Sequence, residues 1–592
     1  MADAVYVAEM AGRIMLNSPA AEPVPQAVIQ EAVSKLADRL LSMRDPSGAW
    51  RGHLSSSALA TATAISALAT SVDAADKDRI TRGVQWLITD QHANGGWGDS
   101  PESPSNLPTT LLCLAALRLA GHESLTVDRA RAYVSQHAGQ TPAQWVAALE
   151  HHYGIDRTFA VPILTNLALA GLVPWSLIPP LPFSLAAFPR ALYRVLRLDV
   201  VSYALPALIA IGTRLAHEQA RRGILSQWAR PKALAKLPAL QPSHGGFLDA
   251  VPLTSFVAMS LAGLPDAPAG VAGQCLAFLR SRQRDDGSWP IDTDLAMWLT
   301  TASVAALSEA GQRHRLNGSS VTSWIAAAQH QQIHPYTEAA PGGWAWTDLP
   351  GGVPDADDTS GAILALTALG QPAPIEAGVR WLLSLQNRDG GFPTFCRGWG
   401  KLPFDHSAPE ITAHAIRAMH VSIRAASTAP VYRAIPRALR YLADTQASDG
   451  SWRPLWFGNQ HTPDHASRVI GTAKVLRALA AVPQRTPTAD RAVQYLLAQQ
   501  NPDGGWGGCL GVESSMEETA LAVSALTDWP TRPETRVATH AGVRYLLRGI
   551  AAGAIDRPAP IGLYFSSLWY SEKLYPIIWT LEALGRTMQT TE

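Results

Sequence analysis

Five stretches of this 592-residue chain obey one rule, and that rule limits what the chain can fold into. They are "RGVQWLITDQHANGGW" ending at Trp97, "GQCLAFLRSRQRDDGSW" at Trp289, "AGVRWLLSLQNRDGGF" at Phe392, "RALRYLADTQASDGSW" at Trp452 and "RAVQYLLAQQNPDGGW" at Trp506. In each, an aromatic residue precedes a Gln by five positions, and a Trp or Phe follows that Gln by six. Two looser copies flank the set. "ADRLLSMRDPSGAW" ends at Trp50 with Arg44 in the Gln place, and "AGVRYLLRGIAAGA" around Tyr545 lacks the ending. Such recurrence marks an architecture assembled from similar units. The first half of each copy has apolar residues at helical spacing. The Asn-Gly or Asp-Gly that follows stops a helix and turns the chain. The Gln amide can bond neighbouring backbone, and the Trp can fill the space between helices. Ala/Leu-rich stretches such as "TTLLCLAALRLAG" and "SVAALSEAG" lie between copies. The chain reads as all-α, helix pairs in series. Irregular spacing between copies favours closed α/α barrels over a uniform solenoid.

Charge and composition exclude some functions. Lys+Arg and Asp+Glu are both 48, which argues against a nucleic-acid binder. Charged residues are only 16 % and mean hydropathy is +0.02, which points to an apolar cavity or a membrane contact. Cys113, Cys275, Cys396 and Cys509 form no CxxC pair, so neither a disulfide framework nor a zinc knuckle is expected. The opening "MADAVYVAEMAGR" lacks the basic and apolar regions of a secretory signal, and a reducing, cytoplasmic setting is expected. No apolar run reaches the ~18 residues of a spanning helix. Two apolar segments come close, 159–189 and 200–213, with Arg190, Arg194 and Arg197 between them. Basic residues beside an apolar patch suit a surface membrane contact, and equally an ordinary core around a loop.

Chemistry concentrates in "PDADDTSGAIL", residues 354–364, where three carboxylates stand at the mouth of an apolar helix. One Asp suffices to cap a helix. Three leave open a cap with solvated neighbours, a divalent-metal cluster, or a managed proton. "PGGWAW" at 341–346 precedes the acids, "EITAH" stands at 410–414, and "GLVPWSLIPPLPF" at 171–183. Together with the repeats, the order and spacing of these blocks resemble the squalene-hopene cyclases, over nearly the whole chain.

That resemblance implies two α/α (toroid) barrel domains enclosing a large central apolar cavity. One domain spans 20–285 and contacts the membrane; the other joins 1–19 to 286–592 and carries the acids. It implies that Asp357 donates a proton to an alkene, with Asp355 and Asp358 as supporting carboxylates and His414 bonded to the donor. Crowded like charges keep a carboxylic acid protonated at neutral pH, and a cationic partner sharpens its acidity. Glu410 stands four residues before His414 on one helix face and is placed to hold the imidazole charged; the family usually has Asp there. Aromatic faces stabilise cations without trapping them. By resemblance Trp346, Phe395, Trp298, Trp456 and Trp175 wall the cavity. In "PIGLYFSSLWYSEKLYP", Tyr564, Phe565, Trp569 and Tyr570 match an aromatic cluster with the register off by one residue. "SSSALATATAISAL" and "NLPTTLLCLAALRL" lack two glutamates common in the family, which puts its usual product in doubt.

The expected reaction is protonation and polycyclisation of squalene or a related polyprene, with no metal and no cofactor. Expected partners are the lipophilic polyprene, a membrane surface and a second copy of the chain, and no nucleic acid. The expected place is the cytoplasmic side of a bacterial membrane. Two other readings stand beside this one. A class II cyclase of a prenyl diphosphate shares the acidic motif but needs Mg²⁺ and basic residues. A non-catalytic barrel binding polyprenyl lipids would turn nothing over. A protein prenyltransferase β subunit needs an Asp/Cys/His zinc site, and no such trio fits.

Overall fold

The computed structural model describes residues 24–154, 157–189, 205–219, 223–318, 320–335, 337–395, 406–423, 429–482, 486–530, 532–563 and 568–589. Among the described residues the protein is all-α apart from one short hairpin, and its helices form two α/α barrels. In the first, Ala58–Ser71, Leu107–Leu119, Arg157–Leu169, Leu205–Glu218 and Val251–Leu261 follow one another around an inner ring. Val251–Leu261 packs back on Ala58–Ser71 to close it. In the second, the inner ring is Ala296–Glu309, Ala356–Ala368, Pro409–Ser422, Arg468–Ala481, Met516–Leu526 and Tyr575–Gln589, and the last returns to the first. Outer helices such as Lys77–Asp90 and Ile375–Leu385 bury one stripe, whereas inner ones are buried almost all round. Small residues make that ring possible: "ALATATAISALATS" forms Ala58–Ser71, and its Ala58 to Leu68 are buried.

The repeat is the device that joins units. Gln386 donates from Nε2 to the Gly390 carbonyl (2.8 Å) in its own turn and to the Ala434 carbonyl (2.9 Å) in the next outer helix. Gln91, Gln283, Gln446 and Gln500 make the same pair of bonds. Each turn needs its glycine: Gly390 has φ +95°, and a Cβ there would sit 2.4 Å from the Arg437 carbonyl oxygen. The Trp that follows is fully buried. Its indole N–H bonds a carbonyl ten residues earlier, as in Trp452 to Leu442 (2.8 Å), and its backbone N–H bonds an inner-helix Thr, here Thr472 (3.2 Å). Two further units use this clamp although the sequence pattern did not show them. Gln241 precedes Phe247 without an aromatic five residues earlier, and Gln329 reaches Gly342 across an insertion before Trp344.

Buried side chains form two cores. One runs from Ala58 to Trp289 and takes in Val353 and Phe395; the other joins Ile29–Leu54 to the remaining buried residues of Ile291–Leu584. Packing thus draws the divide between Leu54 and Ala58, where the sequence placed it near residue 20, because Gln26–Ser42 packs on the last helix of the second ring. Inside that ring Arg477 and Arg586 pair with Glu309, Asp528 and Glu582, tying three inner helices together.

Much of the apolar signal at 159–213 is core: Val161, Leu164, Leu167, Ile209 and Ile211 are buried. Residues 190–204, with Arg190, Arg194 and Arg197, lie outside the described residues. The exposed apolar side chains nearby are Leu177, Ile224, Leu225 and Trp228, with Trp228 5.5 Å from Phe188. No described helix is long and apolar enough to cross a membrane.

Candidate active site

A cavity of about 330 Å³ lies between the two barrels, lined from both. The first barrel gives Leu59, Leu112, Phe159 and Phe256; the second gives Trp298, Trp346, Phe457 and Tyr575. Asp355, Asp357 and Asp358 line it as well.

The acids sit where a repeat starts an inner helix. Asp355 is the N-cap of Ala356–Ala368 and its side chain accepts the Asp358 N–H at 2.8 Å. Its own backbone N–H bonds the Trp344 carbonyl, so the clamp below fixes the acids above it. Asp357 is two residues into the helix, and its Oδ1 lies 2.6 Å from Nδ1 of His414 on the neighbouring Pro409–Ser422. Gly361, one turn on, lets this helix lie close to the inner helix Ala296–Glu309: a Cβ there would lie 2.7 Å from Thr301 Oγ1.

Burial divides the labour among the three carboxyls. Desolvation pushes Asp355 up to about 8, and desolvation with the neighbouring acids carries Asp358 well above its ordinary value. Burial acts on Asp357 too, but the Lys474 ammonium and then His414 outweigh it and hold this carboxyl below the usual value. His414 is pushed down, because burial and the Lys474 charge outweigh the pull of Asp357. Glu410 is fully buried. Its Oε1 accepts the N–H groups of Leu455 (2.7 Å) and Trp456 (3.1 Å), and burial raises it to about 7. Its hydrogen bonds therefore go to a loop, while Asp357 holds His414.

Of the expected wall, Trp346, Phe395, Trp298 and Trp456 line the cavity. Phe395 has its ring centroid 6.1 Å from that of Trp346 and 6.1 Å from that of Trp456, so three rings form one arc. Trp456 Nε1 is anchored on Thr394 at 2.9 Å. Trp175 lies off the cavity, in a single turn, Trp175–Leu177, whose carbonyl accepts a bond from Gln219. Trp569 also points away. It is the middle residue of strand Leu568–Tyr570, paired antiparallel with Ile561–Leu563, so alternation turns Leu568 and Tyr570 inward and Trp569 toward His465. Tyr564 and Phe565 lie outside the described residues.

Two charged groups at the site were missed in the sequence. Lys474 lies within the otherwise apolar stretch "TAKVL" of an inner helix, and its Nζ stands over the rings of Phe457 and Trp298. Asp292, in "PIDTD", reaches the cavity wall and accepts the Thr293 N–H at 2.6 Å. The only signal for either was a charge inside a segment whose neighbours are buried.

Residues 33–221 match the family description "Squalene-hopene cyclase N-terminal domain", and 295–587 match "Squalene-hopene cyclase C-terminal domain". The chain is similar to enfumafungin synthase of Hormonema carpetanum, 26 % identical over 82 % of this chain and 42 % of that protein, so it spans less than half that relative's length. It is 26 % identical to a squalene hopane cyclase of Aspergillus fumigatus, over 77 % of this chain and 75 % of that one. It is 28 % identical to labda-7,13-dienyl diphosphate synthase of Streptomyces clavuligerus, over 83 % and 82 %. Among solved structures, ent-copalyl diphosphate synthase from Streptomyces platensis superposes with TM-score 0.54, covering 94 % of this chain and 99 % of that one at 22 % identity, a likeness of fold.

Proposed function

Since this chain belongs to the squalene-hopene cyclase family of class II terpene cyclases, we propose that it protonates a terminal alkene of squalene or a related polyprene and directs the cation through ring closures. The observation that carries this reading is the Asp357–His414 pair at 2.6 Å, with Asp357 on the wall of a cavity made, apart from its four carboxyls and Thr394, of aromatic and aliphatic side chains.

The chemistry follows from that setting. Asp355 and Asp358 hold their protons at neutral pH, and Asp357 is the strongest acid of the three. A hydrocarbon filling the cavity displaces the water that reaches the 14 %-exposed Asp357 side chain. The added desolvation loads Asp357 with a proton, and its stabilised anion makes it a good donor. The O–H bond breaks, a C–H bond forms at the terminal alkene carbon, and a tertiary cation appears at the adjacent carbon. Each further alkene attacks the cation before it, and loss of one proton ends the series, so product and substrate are isomers. The faces of Trp346, Phe395 and Trp456 lie where positive charge travels.

Among the described residues that line the cavity there is no Lys or Arg to hold a diphosphate, which favours an uncharged polyprene over a prenyl diphosphate. Such a substrate resides in a bilayer. The exposed Leu177, Ile224, Leu225 and Trp228 are the side chains we assign to membrane contact. Incubation with squalene in detergent, followed by mass spectrometry, tests the reading; an isomer of squalene is expected. Turnover of geranylgeranyl diphosphate that stops on chelation, with squalene ignored, establishes the diphosphate cyclase instead.

A further inference from the structure

Lys474 is a half-buried cation in an apolar place. It lies in the middle of Arg468–Ala481, the inner helix beside the one that bears Glu410 and His414. Its Nζ is 4.0 Å from the ring centroid of Phe457 and 4.9 Å from that of Trp298, and both rings line the cavity. Among the described residues it makes no hydrogen bond or ion pair. An ammonium held on two aromatic faces is fixed in position yet keeps its charge uncommitted.

The groups around it show where that charge acts. Ala356–Ala368 presents Asp357, with Asp355 and Asp358 beside it. Pro409–Ser422 presents Glu410, His414 and Arg417, and Tyr575–Gln589 presents Glu582. Glu582 is engaged by Arg477 one turn along the same helix as Lys474, and Glu410 by two backbone N–H groups. Glu517 and Glu518 of Met516–Leu526 are bound to Ala559 and to Asn459, Ser467 and Ser515. Asp357 is left as the carboxylate whose charge changes in the reaction. Lys474 and Arg417 both oppose a charge on His414.

We propose that Lys474 is a positioning residue that makes Asp357 a strong acid. Its ammonium stabilises the carboxylate left when the proton departs, and His414 serves as an uncharged hydrogen-bond donor to that carboxylate. The inference rests on Asp357 being the proton donor. It moves the cationic role expected of a Glu410-supported imidazolium onto a residue of the next inner helix.

Infrared titration of the full-length protein reads the carboxyl of Asp357 directly, with Asp357→Asn subtracted to identify its band. Lys474→Met and Lys474→Gln should move the midpoint of that band up by about one pH unit or more, and Lys474→Arg should leave it in place. With squalene as the probe, Lys474→Met should lower the plateau kcat by about 100-fold with KM little changed. The alkaline limb of its profile should move up, because Asp357 then keeps its proton to higher pH. A merely structural lysine would leave the midpoint and the limb where they are, and that result overturns the proposal. Loss of turnover in Asp357→Asn, with the midpoint unmoved in both Lys474 variants, sinks Lys474 alone. Retained turnover in Asp357→Asn sinks the donor assignment on which it rests.

Discussion

Helices Ala356–Ala368 and Met516–Leu526 start from the same repeat. Each follows a glutamine clamp and a buried tryptophan whose backbone N–H bonds a threonine at 2.9 Å, Trp344 to Thr359 and Trp506 to Thr519. Each N-cap, Asp355 or Ser515, bridges to that tryptophan, and each places two acids at the same two positions, Asp357–Asp358 or Glu517–Glu518. Their surroundings then diverge. Glu517 is spent on the Ala559 N–H, and Glu518 takes bonds from Asn459, Ser467 and Ser515. Asp357 meets an imidazole and an open cavity, with Lys474 nearby. An acid pair at a helix start is therefore a feature of the frame. What distinguishes the proposed donor is the cation behind it and the hydrocarbon space before it.

The largest expected effect separates the two acids outright. Asp357→Asn should reduce cyclisation by about 1000-fold or more, while Glu517→Gln leaves kcat within a few-fold, scored by product yield under identical conditions. Comparable losses in both variants would dissolve the distinction. Next is the partner: His414→Ala should lower kcat by roughly 100-fold, since one hydrogen bond to the departing carboxylate is lost.

The shared frame can be tested apart from the chemistry. Gln386→Ala leaves two backbone carbonyls without their donor and should destabilise the protein by about 2 kcal/mol, seen as a lower thermal midpoint.

The last effect concerns the cap and is confined to alkaline pH. Asp355 is pushed up to about 8 by burial, so between roughly pH 4 and 8 the folded state binds a proton that the unfolded chain releases. Stability from this group is complete below the unfolded value and declines as pH rises through the folded one. Asp355→Asn keeps an oxygen for the Asp358 N–H and cannot ionise. Its thermal midpoint should exceed that of the wild type at pH 8 and match it near pH 4.

How far the site was legible depends on which interactions are local. The glutamine clamp was readable because its first bond spans four residues, Gln386 to Gly390, and the buried indole reaches back only ten, Trp452 to Leu442. Where the local signature weakened, as at Gln241 and Gln329, the unit passed unnoticed although its bonds are intact. Trp569 shows a different failure. The family resemblance placed it in an aromatic cluster, but a three-residue strand decides which neighbours face inward. Lys474 is 117 positions from Asp357 in the sequence, and no spacing rule joins them.

The sequence by itself determined the repeated helix pairs, the turns that separate them, and a capped acidic helix start, because these rest on bonds between residues a few positions apart. Only the tertiary structure decided that closing two rings sets Asp357 against His414, brings Lys474 from a third helix toward the same carboxyl, and leaves an apolar cavity in front of it. The physical reason is that desolvation and through-space charge depend on what the folded chain packs around a group.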